Sequence, residues 1–340
     1  MPAMATDWRR LHGIHFVGQR ALVTGGAGFI GSHLVEALLT LGAEVVVLDD
    51  LSAGRRDNLA PFKLKEFIGA SILDREAVAL AMRGVQIVFH QAAMASVPMS
   101  VERPREFYEV NVSGTLNILQ AAAEAHVKRV TFAASSSAYG ESEILPKFES
   151  FPPQPLSPYA ASKVAGEGLV RAWANCYDID TVALRYFNIF GPRQSADSAY
   201  AAVIAAFAKA MLNGQRPTIF GDGEQSRDFT YVDNAVHANL LAARSAKPIG
   251  GDVMNVACGK RISLNQLAKV MRESLERPDL TPIYQPTRAG DVKHSLADLT
   301  HAKQAIDYAP IVDFETGLRA TMDWYRTSQR PPSMRPATPK

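Results

Sequence analysis

Six short runs rich in β-branched and aromatic residues, alternating with longer helical patterns, constrain this chain more than any other feature of its sequence. ALVT from Ala21, EVVVLD from Glu44, KEFIG from Lys65, QIVFH from Gln86, RVTFAAS from Arg129 and DTVALRYF from Asp180 read as strands. Between them the spacing predicts helices over 30–41, 74–82, 104–125 and 158–177. Intervals of that length suit crossovers between parallel neighbours, so the expected fold class is α/β, a doubly wound parallel sheet. After Phe187 the pattern loosens into the loop GPRQSADS, a helix predicted over 200–213, the turn-rich GDGEQSRD, and helices near 263–275 and 314–325. The expected organisation is an N-terminal extension (1–19), the doubly wound α/β domain (20–187), a smaller C-terminal lobe interleaved with it (188–327), and a proline-rich disordered tail (328–340).

Composition narrows the partners. Lys+Arg number 36 and Asp+Glu 34, a formal net charge of +2 with no basic run, which argues against a nucleic-acid partner. Two cysteines without C-x-x-C spacing and eight histidines without ligand spacing suggest neither a disulfide framework nor a metal site. No apolar run approaches the ~18–20 residues a membrane span needs, and the first twenty residues lack a signal-type apolar core. A cytoplasmic protein is expected.

The first strand runs into TGGAGFIG. Gly25, Gly28 and Gly31 let the backbone turn sharply and approach a pyrophosphate, whose charge suits the free N–H groups at the start of the next helix. Preceding strand, following helix and an acid ending the second strand, Asp49, supply the context that such a glycine motif requires, so a Rossmann-like site is expected. Asp49 suits the adenosine ribose hydroxyls and repels a 2′-phosphate, which favours NAD over NADP.

A second cluster carries reactive groups. Ser157 and Pro158 suit the start of a helix whose first turn holds Tyr159, and Lys163 follows at i+4 on the same face. A nearby ammonium favours the phenolate, making Tyr159 a candidate proton acceptor. A Tyr-x-x-x-Lys pair alone fits ordinary packing. The fifth strand, however, ends in Ser135, Ser136 and Ser137, at the sheet edge where ligands of parallel sheets bind.

Together these residues resemble the extended short-chain dehydrogenase/reductase superfamily, and within it the nucleotide-sugar 4-epimerases. The resemblance runs from about residue 20 to 325 through TGGAGFIG, HQAAMASVP, FNIFGPR, GDGEQSRDF and RAGDVKHS. It implies Tyr159 as base, Lys163 on the nicotinamide ribose, and a serine on the sugar hydroxyl, with Ser135 selected by the motif and Ser136 and Ser137 as competitors. It also implies cofactor contacts from Gly25, Gly28, Phe29, Ile30, Gly31, Asp49, Gln91, Ala92, Ala93 and Asn111, with Tyr186 and Phe187 at the nicotinamide end. Ser71-Ile72 stands where the family usually has Asp-Ile against the adenine. For a UDP-sugar the resemblance implies Asn188 and Arg227 on the diphosphate, Arg288 and Asp291 on phosphate and ribose, and Phe220 near the uracil. Ala95, Gln194, Tyr200 and Ala202 lie in segments like those of the UDP-N-acetylhexosamine subgroup, and Ser295 matches the position that limits room around C2. A 4,6-dehydratase would carry Asp-Glu where this chain has Ser136-Ser137. The expected activity is interconversion of UDP-N-acetylglucosamine and UDP-N-acetylgalactosamine, with UDP-glucose/UDP-galactose as a weaker second pair. UDP-glucuronate epimerisation or decarboxylation, and a non-catalytic NAD sensor, are the alternatives. A homodimer through a four-helix bundle formed by the 104–125 and 158–177 helices is expected.

Overall fold

A computed structural model describes residues 6–196, 202–287 and 293–328. The six expected strands form: β1 (Arg20–Thr24), β2 (Glu44–Leu48), β3 (Glu66–Ile68), β4 (Ile87–His90), β5 (Arg129–Ser135) and β6 (Asp180–Tyr186). A seventh, Asp252–Val256, comes from the second half of the chain and pairs with β6. Every pairing is parallel, in the order Asp252–Val256, β6, β5, β4, β1, β2, β3.

Helices α1 (Trp8–His12), α2 (Phe29–Thr40), α3 (Arg75–Ala81), α4 (Val97–Glu102), α5 (Pro104–Tyr108), α6 (Gly114–Glu124), α7 (Pro158–Cys176), α8 (Val203–Leu212), α9 (Val232–Arg244), α10 (Leu264–Ser274), α11 (Thr300–Ile306) and α12 (Phe314–Ser328) complete it. None of the described helices is long and apolar enough to cross a membrane.

Alternation along the strands builds two cores, one on each sheet face. Leu22, Val46, Leu48 and Val88 point into a layer with Ile118, Leu119 and Val170. Their neighbours Ala21, Val23, Val45 and Val47 point the other way, against Leu34 and Leu38 of α2 and Val236 and Leu240 of α9. A third core, with Phe190, Phe207, Leu267, Phe314 and Leu318, makes the C-terminal lobe. The N-terminal extension is part of the fold over residues 6–19: Trp8 and Phe16 are buried against the α2–α9 layer, and His12 Nε2 meets His237 Nδ1 at 3.0 Å.

The predicted helix over 104–125 is interrupted by a π turn, Glu109–Ser113, which inserts Asn111 into the cleft side of the layer. Helix α9 was invisible to periodicity because almost its whole circumference is buried, leaving no polar stripe. Its asparagines are satisfied internally. Asn234, for example, accepts from the backbone N–H of Ile311 and Val312 and donates to the carbonyl of Val312. The tail expected to be disordered lies, apart from residue 328, outside the described residues.

Candidate active site

The glycine loop after β1 is shaped by contacts that only glycine permits. Gly25 has φ +66°, and a Cβ there would sit 2.8 Å from the backbone nitrogen of Ala92. A Cβ on Gly31 would lie 2.1 Å from the carbonyl oxygen of Gly25, so α2 packs directly onto the turn. Gly28 caps α2 without a side chain, which leaves the first-turn N–H groups near Phe29 and Ile30 free for an anion. Asp49, buried at the end of β2, accepts from the N–H of Ala27 and of Leu51, each at 2.8 Å. Burial pushes its carboxyl above the ordinary range, against these hydrogen bonds. An anion-ready helix start beside an acid on the second strand is the arrangement a dinucleotide requires.

The end of β4 is clamped from both helical layers. His90 Nδ1 lies 2.7 Å from Thr24 Oγ1 and its Nε2 3.0 Å from Thr115 Oγ1. Thr115 gives its proton to the carbonyl of Asn111, so Nε2 must carry the imidazole proton, while Thr24 donates to Nδ1 and accepts from Ala92 N–H. Burial, helped by the charge of Lys163, lowers the His90 pKa to about 3, so the ring is neutral. Asn111 exchanges two hydrogen bonds with the backbone of Met94, at 2.8 and 3.0 Å, and donates to Ser162 Oγ at 2.9 Å. The 91–95 loop, carrying Ala92, Ala93 and the exposed Ala95, is thereby fixed against α7.

Ser157 caps α7 and Pro158 opens it, placing Tyr159 in the first turn as the sequence predicts. Tyr159 stacks edge-on against Phe107. Burial raises its phenol pKa and a hydrogen bond from Ser135 opposes the rise. Lys163 follows one turn further along α7 and is buried. Its Nζ donates to the carbonyl of Ala133 at 2.8 Å, and burial lowers its pKa to about 8. Ser135 is the group of this chain that opposes the effect of burial on the phenol. Ser137 is one step removed, its hydroxyl donating to Ser135 Oγ at 2.9 Å. Ser136 is partly exposed in the same turn.

Two other tyrosines lie near this crevice and neither has a free hydroxyl. Tyr139 donates to Asn255 Oδ1 at 2.7 Å under the Arg185 guanidinium, and Tyr186 donates to Gln91 Oε1 at 3.1 Å. Burial lifts each to about 12. Phe187 corrects an expectation: it is wholly buried among Tyr139, Ala257 and Ala297 and has no surface to flank a nicotinamide. The Ser71 hydroxyl accepts from Leu73 N–H, and Ile72 packs in the core at 4% exposure.

On the lobe side, Asn188, at φ +38°, donates to Ser295 Oγ at 3.3 Å, and Ser295 also accepts from Asp228 N–H at 3.3 Å. Asp228 is fully buried and accepts from the N–H groups of Cys258, Gly259 and Ala297, so it staples three segments rather than pairing with Arg227. Burial raises its pKa to about 7. Arg227 donates to the carbonyls of Ser226 and Lys293. Phe220 ends a short strand paired with Ile283–Gln285, Gln194 Nε2 is turned onto the carbonyl of Ile189, and Ala202 caps α8. Tyr200, Arg288 and Asp291 lie outside the described residues. The sequence reading missed His90, Thr115 and Asn239, whose partners are distant in the chain.

Comparison with known proteins agrees with this geometry. The NAD dependent epimerase/dehydratase family model matches residues 21–257, so the chain belongs to that family, and NAD is its cofactor. It is 39% identical over 316 residues to the UDP-glucose 4-epimerase of Mycolicibacterium smegmatis, covering 92% of this chain and 100% of the relative. The solved UDP-N-acetylglucosamine 4-epimerase from Methanobrevibacter ruminantium, in complex with UDP-N-acetylmuramic acid, has a TM-score of 0.88 at 41% identity, covering 92% of this chain and 100% of that one. A UDP-glucose 4-epimerase from Thermus thermophilus in complex with NAD has a TM-score of 0.82 at 38% identity, covering 91% and 99%.

The Ser135–Tyr159 contact generates a pH prediction. A base works ionised, so the rate rises with pH through the phenol pKa. Ser135→Ala removes the hydrogen bond that holds this pKa down, so the acidic limb of the kcat/KM profile is expected to move to higher pH, with about tenfold or more lost at neutral pH. A limb that stays in place would contradict the assignment of Ser135.

Proposed function

We propose that this protein is a UDP-sugar 4-epimerase whose principal pair is UDP-N-acetylglucosamine and UDP-N-acetylgalactosamine. The observation that carries the reading is Tyr159: of the three crevice tyrosines described above, two donate to an amide side chain of the protein, whereas the Tyr159 hydroxyl has Ser135 for its neighbour. Bound NAD would supply a reversible acceptor for the hydrogen at sugar C4. Tyr159 takes the proton of the 4-hydroxyl and later returns it, and Ser135 holds that oxygen in line with the phenol. Lys163, now on a backbone carbonyl, has the length and charge to turn to a ribose hydroxyl when one arrives.

Epimerisation needs the 4-ketose to present its other face, so the sugar must be held loosely and the nucleotide firmly. Asn188 and Arg227, with Arg288, Asp291 and Phe220, are the residues assigned to that grip, and arginine suits a diphosphate because its donors match phosphate oxygens. Ser136 and Ser137 offer no carboxylic acid to expel a hydroxyl, which separates this site from dehydration. A uronate would call for a basic side chain near the sugar, and His294, in the RAGDVKHS segment, is instead committed to Ser226 Oγ at 2.9 Å, with burial lowering its pKa.

Ser295 is small, and a small residue beside C2 leaves room for an N-acetyl group. The relative from Methanobrevibacter ruminantium supports the same choice. Supplying each UDP-sugar to the purified protein and following the 4-epimer by NMR tests it: UDP-N-acetylglucosamine should turn over fastest, and turnover of UDP-glucose alone would refute the assignment. Ser295→Tyr should impair the acetylated substrate selectively. Because Ser295 also braces Asn188, Ser295→Ala is the control, expected to weaken both substrates equally.

We also propose a homodimer. Val97, Val101, Tyr108 and Leu116 expose apolar surface along α4–α6 at 43, 65, 60 and 37%, a stripe beside α7 that a second copy would cover as a four-helix bundle. Sedimentation velocity should give twice the 36.9 kDa chain mass, and Tyr108→Glu should shift it toward monomer. A monomeric wild type would refute the bundle.

A further inference from the structure

Three side chains at the sheet's carboxyl edge close a ring of hydrogen bonds, and one of them comes from α9, the helix the sequence did not reveal. Asn239 Nδ2 donates to Tyr186 Oη at 2.6 Å, Tyr186 Oη donates to Gln91 Oε1 at 3.1 Å, and Gln91 Nε2 donates to Asn239 Oδ1 at 3.3 Å. Two further contacts fix the sense of the ring. Asn239 Nδ2 also donates to the carbonyl of Ala235 at 2.8 Å, and Asn239 Oδ1 also accepts from Thr131 Oγ1 at 2.8 Å. A backbone carbonyl can only accept, so the asparagine amide cannot be flipped, and Tyr186 must direct its own proton to Gln91. Asn239 is fully buried and all four of its hydrogen-bonding capacities are used.

The ring joins the ends of β4 and β6 to α9, with β5 attached through Thr131. Gln91 and Tyr186 are the members that the family resemblance puts at the cofactor cleft. Without Asn239 each would lose one of its two ring partners, leaving the Tyr186–Gln91 bond alone to hold both side chains and a buried polar group unpaired on each.

We propose that Asn239 is a positioning residue for the coenzyme: by fixing the orientation of Gln91 and Tyr186 it slows the escape of NAD from the nicotinamide end of the cleft. This rests on the reading of the protein as an epimerase with resident NAD and of Gln91 and Tyr186 as cleft residues. The demand is specific to such an enzyme. Its coenzyme ends each cycle as it began, so release serves no step of turnover, and release in mid-cycle would strand an oxidised sugar.

The test uses purified holoenzyme carrying Asn239→Leu, Tyr186→Phe or both. The rate at which bound NAD is lost on dilution is measured together with kcat and KM for the UDP-sugar. Each single variant should lose NAD about tenfold faster or more, since a factor of ten is about 1.4 kcal/mol, on the order of what an unpaired buried polar group costs. The double variant should be no faster than the worse single one, because both changes open the same ring. Added NAD should restore kcat, with the UDP-sugar KM little changed, a split that general destabilisation would not give. If Asn239→Leu fails to fold, Tyr186→Phe, which deletes one hydroxyl and keeps the ring volume, carries the same expectation alone. Wild-type NAD retention in either folded variant, or additive effects in the double variant, would overturn the inference. Wild-type protein that binds no NAD would instead defeat the functional reading on which it rests.

Discussion

Consecutive residues of a β-strand point to opposite faces, and at the end of β4 this geometry determines the active crevice. His90 reaches one helical layer, where Thr115 and Asn111 receive it, and Gln91 reaches the other, where Asn239 receives it. Each side is a directed chain of donors and acceptors, and each is closed by a backbone carbonyl that can only accept. The strand end is therefore pinned from both sides without a single formal charge in either chain. Because Thr24 of β1 and Met94 of the following loop are tied into the same network, the glycine turn, the cofactor cleft and the start of α7 share one rigid frame. Burial in this frame, with the charge of Lys163, holds the His90 pKa at about 3, so the ring stays neutral and Nδ1 remains free to accept from Thr24.

Within that frame the chemistry depends on which hydroxyl is left over. Tyr139 and Tyr186 are spent on asparagine and glutamine partners, and Asn255, which receives Tyr139, is itself held by the carbonyls of Lys147 and Asp298. Tyr159 meets the Ser135 hydroxyl instead. Burial alone makes it a weaker acid and so disfavours the phenolate. A neighbouring hydroxyl now, and cationic groups once the cleft is filled, work in the opposite direction. Lys163 is buried, its pKa lowered by burial to about 8, and its Nζ donates to the carbonyl of Ala133 at 2.8 Å.

How much was legible in the sequence follows from where the information lies. Strands β1, β2, β4, β5 and β6 were visible because burial on both faces demands runs such as EVVVL and RVTFAAS, and the glycine turn because close backbone contact at Gly25 and Gly31 excludes every other residue. Helix α9 and the strand Asp252–Val256 were not. Both carry buried asparagines whose partners lie many tens of residues away, and a buried asparagine looks like a surface one until its partner is known. The same reason hid His90 and Asn239. The place expected of Phe187 failed differently: spacing located the residue correctly, but spacing says nothing about whether an aromatic ring faces the cleft or the core.

The central claim is that the hydrogen at sugar C4 leaves and returns within one closed site, beside the Tyr159 phenol, and never exchanges with water. Epimerisation of UDP-N-acetylglucosamine carrying deuterium at C4, run in ordinary water and analysed by mass spectrometry and NMR, tests this most directly. The account predicts product with deuterium fully retained at C4 and none gained elsewhere on the sugar. Replacement of that deuterium by solvent hydrogen would show that C4 is inverted by proton abstraction rather than hydride return, and would contradict it.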